Sequence, residues 1–339
     1  MKWLSLLIVF AGLKSCGSDN NTPKITLKPN ANTYVYGDTL AIKLRHKKDM
    51  VIDSTHYFLN TNKLILPHVF SNEKLGDHQL RAIHYVAGKE IDSKRSIRLL
   101  NNRPPELWTY TIINEFPHDK AAYTQGLEFD GDILYESTGL NGKSSLRKVK
   151  FSKGEIVQSI PLDASYFGEG LTLLGQKVYQ LTWQKNTAFV YDKTNLKLLS
   201  SFNYDKSKEG WGLCNDGTYL YKSDGTAKIW RLDPDTGVEF DYVEATTHKT
   251  ILTKINELEW VDGKIYANTY QSQKEVAVVI NPQTGAIEKV IDFTGLKDKV
   301  EQIPSLNVLN GIAYHPERKT FFVTGKNWSK VFEVTLQKK

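Results

Sequence analysis

One column of five triplets sets the architecture this chain can adopt: Gln125-Gly126-Leu127, Glu169-Gly170-Leu171, Trp211-Gly212-Leu213, Asn256-Glu257-Leu258 and Asn310-Gly311-Ile312. The third place is always Leu or Ile and the second is Gly in every copy but one, while the first place varies among Gln, Glu, Trp and Asn. Successive copies stand 44, 42, 45 and 54 residues apart, and a period in the low forties is that of a four-stranded propeller blade. Turn signals follow the first four triplets, at Gly131-Asp132, Gly175-Gln176, Asp216-Gly217 and Asp262-Gly263. Short strand-like runs come next, at 133–135, 178–181, 219–221 and 265–267, and a third set lies at 146–149, 189–191, 229–232, 276–280 and 331–334. The pattern predicts an all-β chain with a five-bladed β-propeller. A strand at 107–116 precedes the first triplet, and the last repeat ends after three strands. That early strand is therefore expected to complete the fifth blade, which removes two exposed sheet edges at once.

Ahead of the propeller, runs at 25–27, 40–45, 51–52, 57–59, 78–86 and 96–100 alternate with turn signals such as Gly37-Asp38 and Gly76-Asp77, which predicts a small immunoglobulin-like β-sandwich over 24–100. Asn101-Asn102-Arg103-Pro104-Pro105 cannot continue a sheet interior, so 101–106 is expected to be the linker and 107–339 the propeller. His46, His56, His68, His78 and His84 match no zinc-ligand spacing and are expected to be surface or core histidines.

Met1-Lys2 followed by an apolar run from Leu4 to Leu13 has the layout of a secretory signal and is short for a membrane span. It ends in Leu13-Lys14-Ser15-Cys16-Gly17, which is similar to a bacterial lipobox except for Lys14; a plain signal peptide cleaved elsewhere is the alternative. With Cys16 acylated, 1–16 is the signal and lipidation site and 17–23 a polar tether. The chain would be an exported lipoprotein held to a bacterial membrane by its lipid. Cys214, left without a disulfide partner, is expected to be a buried, inert thiol. The net charge of +6 comes from lysines scattered among acidic residues, and no dense basic stripe points to nucleic acid.

The innermost strands of a propeller line its central channel, so the first residues of the triplets should meet near one mouth. There a carboxylate flanked by aromatic rings and amides has its charged form disfavoured and its pKa raised, which suits it to move protons near neutral pH. Glu169, near Phe167 and Trp183, is the candidate, with a Glu capping backbone amides as the structural alternative. Trp183, Trp211 and Trp328, together with Tyr123, Tyr166 and Tyr270, divide between core packing and ligand stacking. Lys326, just past a strand end, is either a solvated turn lysine or a positive charge at the pocket.

Tyr123-Thr124-Gln125-Gly126-Leu127, Phe167-Gly168-Glu169-Gly170-Leu171, Glu209-Gly210-Trp211-Gly212-Leu213, Ile255-Asn256-Glu257-Leu258-Glu259, Leu309-Asn310-Gly311-Ile312-Ala313 and Gly325-Lys326-Asn327-Trp328 together resemble the plant and bacterial, papaya-type, family of glutaminyl-peptide cyclotransferases. The resemblance runs from about Trp108 to the C-terminus and leaves the preceding domain unexplained. It implies a five-bladed propeller that converts the N-terminal Gln of a peptide to pyroglutamate with release of ammonia. It further implies Glu169 as general acid/base, and Gln125, Asn256 and Lys326 as polar groups that bind or polarise the substrate. Tyr123, Phe167, Trp183, Trp211 and Tyr270 would be its aromatic walls, although Tyr270 stands where the papaya member has Trp. No cofactor is implied for catalysis, and a structural divalent cation is implied in the central channel. The expected partners are Gln-initiated peptides and a membrane, with the chain itself a monomer. The rival functions are a non-catalytic exported propeller that binds a peptide or glycan at the same mouth, and a metal-dependent propeller lactonase, for which neither six blades nor clustered acidic ligands are read.

Overall fold

The computed structural model describes residues 24–271 and 274–339, so Cys16, the signal sequence and the tether lie outside the described residues. Three four-stranded antiparallel sheets are built from consecutive strands. The first holds Thr124–Asp130, Ile133–Thr138, Ser145–Lys150 and Glu155–Pro161, and the second Gly168–Leu174, Lys177–Thr182, Thr187–Asp192 and Leu198–Asn203. The third holds Leu213–Asn215, Leu220–Ser223, Lys228–Leu232 and Glu239–Glu244. An eight-stranded sheet contains the rest, in the spatial order Ile255–Val261, Lys264–Thr269, Val276–Ile280, Ile287–Asp292, Glu106–Pro117, Lys330–Lys338, Thr320–Gly325 and Leu309–His315.

The expected closure is present in that sheet. Glu106–Pro117 runs antiparallel to the C-terminal strand from Trp108 opposite Lys338 to Pro117 opposite Lys330, with a bulge between Ile112 and Asn114. Its first three residues also run parallel to Lys289, Val290 and Ile291. The strand beginning each repeat touches its counterpart in the next, and Leu309–His315 touches Thr124–Asp130, so the inner strands form a closed, propeller-like ring. Apolar faces fill the space between neighbouring sheets. Leu127, Phe129 and Leu134 of the first sheet pack with Phe151, Ala313, Phe322 and Val331, while Tyr179, Leu181 and Val190 of the second pack with Leu213, Leu220 and Trp230 of the third. Each such fully buried side chain contributes about 1.5–3 kcal/mol relative to exposure.

The near-invariant glycine of the triplets follows from this ring. A Cβ on Gly126 would lie 2.5 Å from Leu171 N, and one on Gly212 would lie 2.0 Å from Asn256 O. The inner strands approach backbone to backbone, and only Gly fits. The exception, Glu257, turns its carboxylate into use: the two oxygens accept the buried amides of Ile312 (3.0 Å) on the adjoining inner strand and of Leu127 (3.4 Å) on the one beyond it.

The chain divides into two compact units. One comprises the described residues up to Asn30, with 41–67 and 79–95; within it Thr26–Pro29 pairs with Ile42–Arg45, and Ser54–Leu59 pairs with Asn62–Leu64 and with residues 80–85. His84 is buried there between the hydroxyls of Thr55 and Ser93, as a core histidine rather than a ligand. The other unit comprises 31–40, 68–78 and 96–339 and includes the pairs Thr33–Val35 with residues 98–100 and Thr39–Leu40 with His68–Val69. The run at 51–52 is not a strand, and Thr33–Val35, Asn62–Leu64 and His68–Val69 were not anticipated. Such strands of two or three residues carry too little periodicity to be legible. In the second unit the amide of Leu75 donates to Thr284 O (2.8 Å) and that of Asn101 to Thr247 O (3.2 Å).

Candidate active site

Four of the five inner strands lose regular pairing where the triplet stands: the register shifts between Thr124 and Gly126, Gly168 and Leu171, Ile255 and Leu258, and Leu309 and Ile312. Bulges re-aim side chains out of the ladder. In the third repeat the strand begins only at Leu213, which leaves Trp211 in the irregular segment before it. Gln125, Glu169, Trp211 and Asn256 are thereby brought to one cavity of about 260 Å³, whose remaining lining is Tyr123, Phe167, Trp183, Tyr270 and Lys326. All nine residues singled out in the sequence for catalysis or substrate binding line this one space. Trp328 does not. It is wholly buried beneath the Lys326 turn and donates to Asn307 O at 3.0 Å. Tyr166 instead packs edge-on against Phe189.

The polar groups lie deep and the aromatic groups form the rim. Gln125, Glu169, Asn256 and Lys326 are each 5% exposed or less, whereas Tyr270 is 37% exposed. Gln125 is oriented by Asn310, whose side-chain amide donates to Gln125 Oε1 at 3.0 Å, so the Gln125 amide nitrogen is the end that reaches the Glu169 carboxyl. Asn256 Oδ1 is buried with no hydrogen-bond partner. A buried polar atom left unpaired costs about 1–3 kcal/mol, and a ligand donor would remove that cost.

Burial pushes the Glu169 carboxyl well above the usual range; the Lys326 charge and the Gln125 hydrogen bond pull it back only in part, and Glu209 adds to the rise. Burial likewise lowers the Lys326 ammonium to about 8 against the opposing pull of Glu169. The shifts run in opposite senses, the carboxyl upward and the ammonium downward, which is the direction that acid/base work near neutral pH requires. Burial, with smaller contributions from Tyr270 and Glu169, pushes the Tyr123 phenol to about 12, so it stays neutral.

The rim is a continuous collar. Phe167 meets Tyr123 edge-on at 6.1 Å and Trp183 at 5.6 Å, and Trp211 meets Tyr270 edge-on at 6.0 Å. Lys326 Nζ lies 4.9 Å from the ring centres of both Tyr123 and Tyr270 and joins them. Glu209 closes the circuit: its Oε2 accepts both indole N–H groups, from Trp183 at 2.8 Å and from Trp211 at 2.9 Å. Sequence reasoning missed this role, although Glu209 opens the Glu209-Gly210-Trp211 motif. Behind it, fully buried Lys222 donates to Glu209 O (2.9 Å) and pairs with Glu239 (3.1 Å).

His118 was also missed. Its Nδ1 faces Trp328 O at 2.8 Å and its Nε2 faces Glu136 Oε1 at 3.0 Å, two acceptors that require both ring nitrogens to donate. Burial, the largest single cause, would lower its pKa, but Glu136, the Trp328 carbonyl and Asp119 together outweigh it and raise it. The resulting cation ties down the turn carrying Lys326, whose neighbour Asn327 is held by Ala122 O and Lys120 O. A lone histidine between strands carries no such signal in sequence.

Farther along the inner strands lie Glu128, Glu257 and Glu259. Burial raises Glu128 to about 7 and pushes the other two well above the usual range. Glu257 is spent on the two backbone amides already described, Glu259 accepts the amide of Tyr314 (2.8 Å), and Glu128 accepts that of Leu173 (3.0 Å) with the Thr172 hydroxyl (2.6 Å). Among the described residues no group of three or more His, Cys, Asp or Glu is arranged to hold a metal ion. Cys214 is buried and its thiol is pushed well up, chiefly by burial, which makes it inert.

A family model described as glutamine cyclotransferase matches residues 83–336, beginning some way before Trp108. A curated glutaminyl-peptide cyclotransferase from Arabidopsis thaliana is 40% identical over 229 residues, which is 67% of this chain and 71% of the relative. The crystal structure of Myxococcus xanthus glutaminyl cyclase superposes with a TM-score of 0.64 at 34% identity, covering 69% of this chain and 99% of that one. Taken with the closed ring and the cavity at its triplets, these likenesses show that the chain belongs to the glutamine cyclotransferase family.

Proposed function

We propose that this chain is a glutaminyl-peptide cyclotransferase, an aminoacyl-type acyltransferase that closes the N-terminal Gln of a peptide into pyroglutamate and releases ammonia, with Glu169 moving the proton. The observation that carries this reading is one buried carboxyl of raised pKa in the same cavity as a buried lysine, an unpaired amide oxygen and a collar of rings. The nucleophile and the electrophile belong to the same residue, so holding them in near-attack geometry supplies much of the rate. The α-amine nitrogen attacks the γ-carboxamide carbon, and the carbonyl π pair moves to oxygen. The Glu169 carboxylate takes a proton from the amine nitrogen and gives it to the carboxamide nitrogen; the oxyanion pair then re-forms the carbonyl as that C–N bond breaks, so ammonia leaves and the carboxylate is restored. The Lys326 ammonium faces the developing oxyanion, Asn256 Oδ1 accepts an N–H of the substrate, and the aromatic collar keeps water out. This path uses only the chain's own side chains.

The fold reading that accompanies it is a five-bladed propeller over 107–339 preceded by an immunoglobulin-like domain and a linker at 101–106. The chain would be exported, acylated at Cys16, anchored to a bacterial membrane and monomeric. Incubating the purified protein with a Gln-initiated peptide and measuring ammonia is the direct test. No release would leave the same cavity as a peptide-binding site without catalysis.

Two further outcomes follow from the site. With Lys326 titrating at about 8, its cationic fraction falls as pH rises through that value, so kcat should decline above it. Lys326→Arg keeps the charge at any working pH, and its residual activity should lack that alkaline limb; a limb unchanged in the variant would assign it to another group. Removing the double acceptor in Glu209→Ala frees both indoles. It should lower kcat/KM by about tenfold or more through misplacement of the substrate, with a red shift in tryptophan emission.

A further inference from the structure

Beyond the collar lies a second and larger cavity of about 820 Å³, and Trp211 lines both spaces. The indole is held edge-on by Tyr270 and backed by Gly225, where an added Cβ would come within 2.5 Å of the ring. Trp211 is therefore a partition wall, with the smaller space on one side and a broad, open one on the other. Gly225 is the residue that lets the wall stand against backbone.

Resting on the cyclotransferase reading, we infer that this second cavity is the subsite for the residues following the N-terminal Gln, and that it selects acidic side chains at the second and third positions of the peptide. The smaller cavity, at about 260 Å³, holds a single residue among its buried polar groups. The rest of the substrate must leave past the rim, and an extended chain advances about 3.3–3.6 Å per residue, so the next two residues fall beside the shared wall.

The preference for acid comes from which charges in the cavity are already spoken for. Asp77 is clasped by Arg98 through two hydrogen bonds of 2.7 and 2.9 Å, and Glu244 accepts the Asp77 amide at 2.8 Å. Asp224 accepts the Trp230 indole (2.8 Å) and the Thr226 amide (3.0 Å), and Glu209 is occupied by its two indoles. Lys228 sits 4.2 Å from the ring centre of Tyr242. Every acid lining the cavity thus has an internal donor. Lys206 and Lys208 line the same space, are exposed, and have no acidic partner among the described residues. Glu209, Asp224 and Glu244 keep their charge but are half-buried against those internal donors, and Asp77 is paired with Arg98, so the unpaired charges that stand fully exposed to a ligand are Lys206 and Lys208. Arg98 and Asp77 belong to the stretches 96–339 and 68–78 of the same compact unit, so the subsite is completed by residues ahead of the propeller strands.

Ammonia release by the full-length protein from Gln-Ala-Ala, Gln-Glu-Glu and Gln-Lys-Lys amides, at low and high salt, tests this. The expected result is a kcat/KM on the acidic peptide about three- to tenfold above the neutral one, the scale that two exposed charge pairs supply, with the basic peptide lowest. Salt should compress the ratio because exposed charges are screened. The acidic-to-neutral ratio should fall to one or below in Lys206→Glu/Lys208→Glu. Equal rates on the three peptides, a ratio indifferent to salt, or a ratio unchanged in the double variant overturns the subsite. Failure to turn over any of the three overturns the cyclotransferase reading itself and the subsite with it, which separates the two failures.

Discussion

Glu169→Gln should lower kcat on a Gln-initiated peptide by about 10²-fold or more, the usual scale for a lost acid/base group, while KM changes little. The substitution keeps the side-chain volume and one carbonyl oxygen and removes the titratable proton. A second consequence distinguishes a working carboxyl from a structural one. Burial, the largest cause, holds the native pKa of Glu169 well above the carboxyl's ordinary value of 4.5. Between 4.5 and that raised value the folded chain binds more protons than the unfolded one, so stability contributed by this group is present at low pH and declines as pH rises. At neutral pH the buried carboxyl therefore destabilises the fold, and Glu169→Gln should melt at a higher temperature than the parent there, with the gap closing toward pH 4 as both side chains become neutral. An inactive and more stable variant is the expected pair of results. A variant with near-normal turnover would make the carboxyl structural and require another proton path.

The second large effect concerns ring closure. A chain beginning at His118 lacks the strand Glu106–Pro117 and should fail to melt cooperatively, whereas one beginning at Pro104 should fold and unfold in a single transition. The strand supplies the whole ladder opposite Lys330–Lys338 as well as the parallel pairing at Lys289 to Ile291. Without it two sheet edges open, and the buried faces of Val331, Phe332 and Val334 lose the packing provided by Tyr110, Ile112 and Phe116. The chain beginning at Pro104 also loses 31–40 and 68–78, which belong to the same compact unit. It should melt lower than the full chain while keeping its cooperativity. Circular dichroism of the two truncations against temperature decides the matter: identical melts would mean the terminal strand does not close the ring.

Much of the site was legible because the repeat did the aligning. Residues at one place of a recurring triplet occupy equivalent places in successive sheets, so Gln125, Glu169, Trp211 and Asn256 could be gathered into one pocket without coordinates. Their departure from the Leu and Gly beside them marked them as more than scaffold. The closing strand was legible for a related reason: three strands at one end and one unpaired strand at the other leave a single economical pairing. The N-terminal region was read less well. Its strands at Thr33–Val35 and His68–Val69 are too short to show a period, and a stretch such as 51–52 can be apolar without entering a sheet.

By itself the sequence determined the all-β class, the repeat, the closing strand and the identity of the groups at the channel mouth, since periodicity and residue chemistry are local properties. Tertiary structure alone decided how those groups behave. That one Glu209 oxygen holds two indoles, that His118 clamps the Lys326 turn from a distant stretch of chain, and that Asn310 sets the direction of the Gln125 amide all depend on three-dimensional placement. So do the raised carboxyl of Glu169 and the lowered ammonium of Lys326, because a proton affinity is set by what excludes water and which charges face the group, and neither is written in the order of residues.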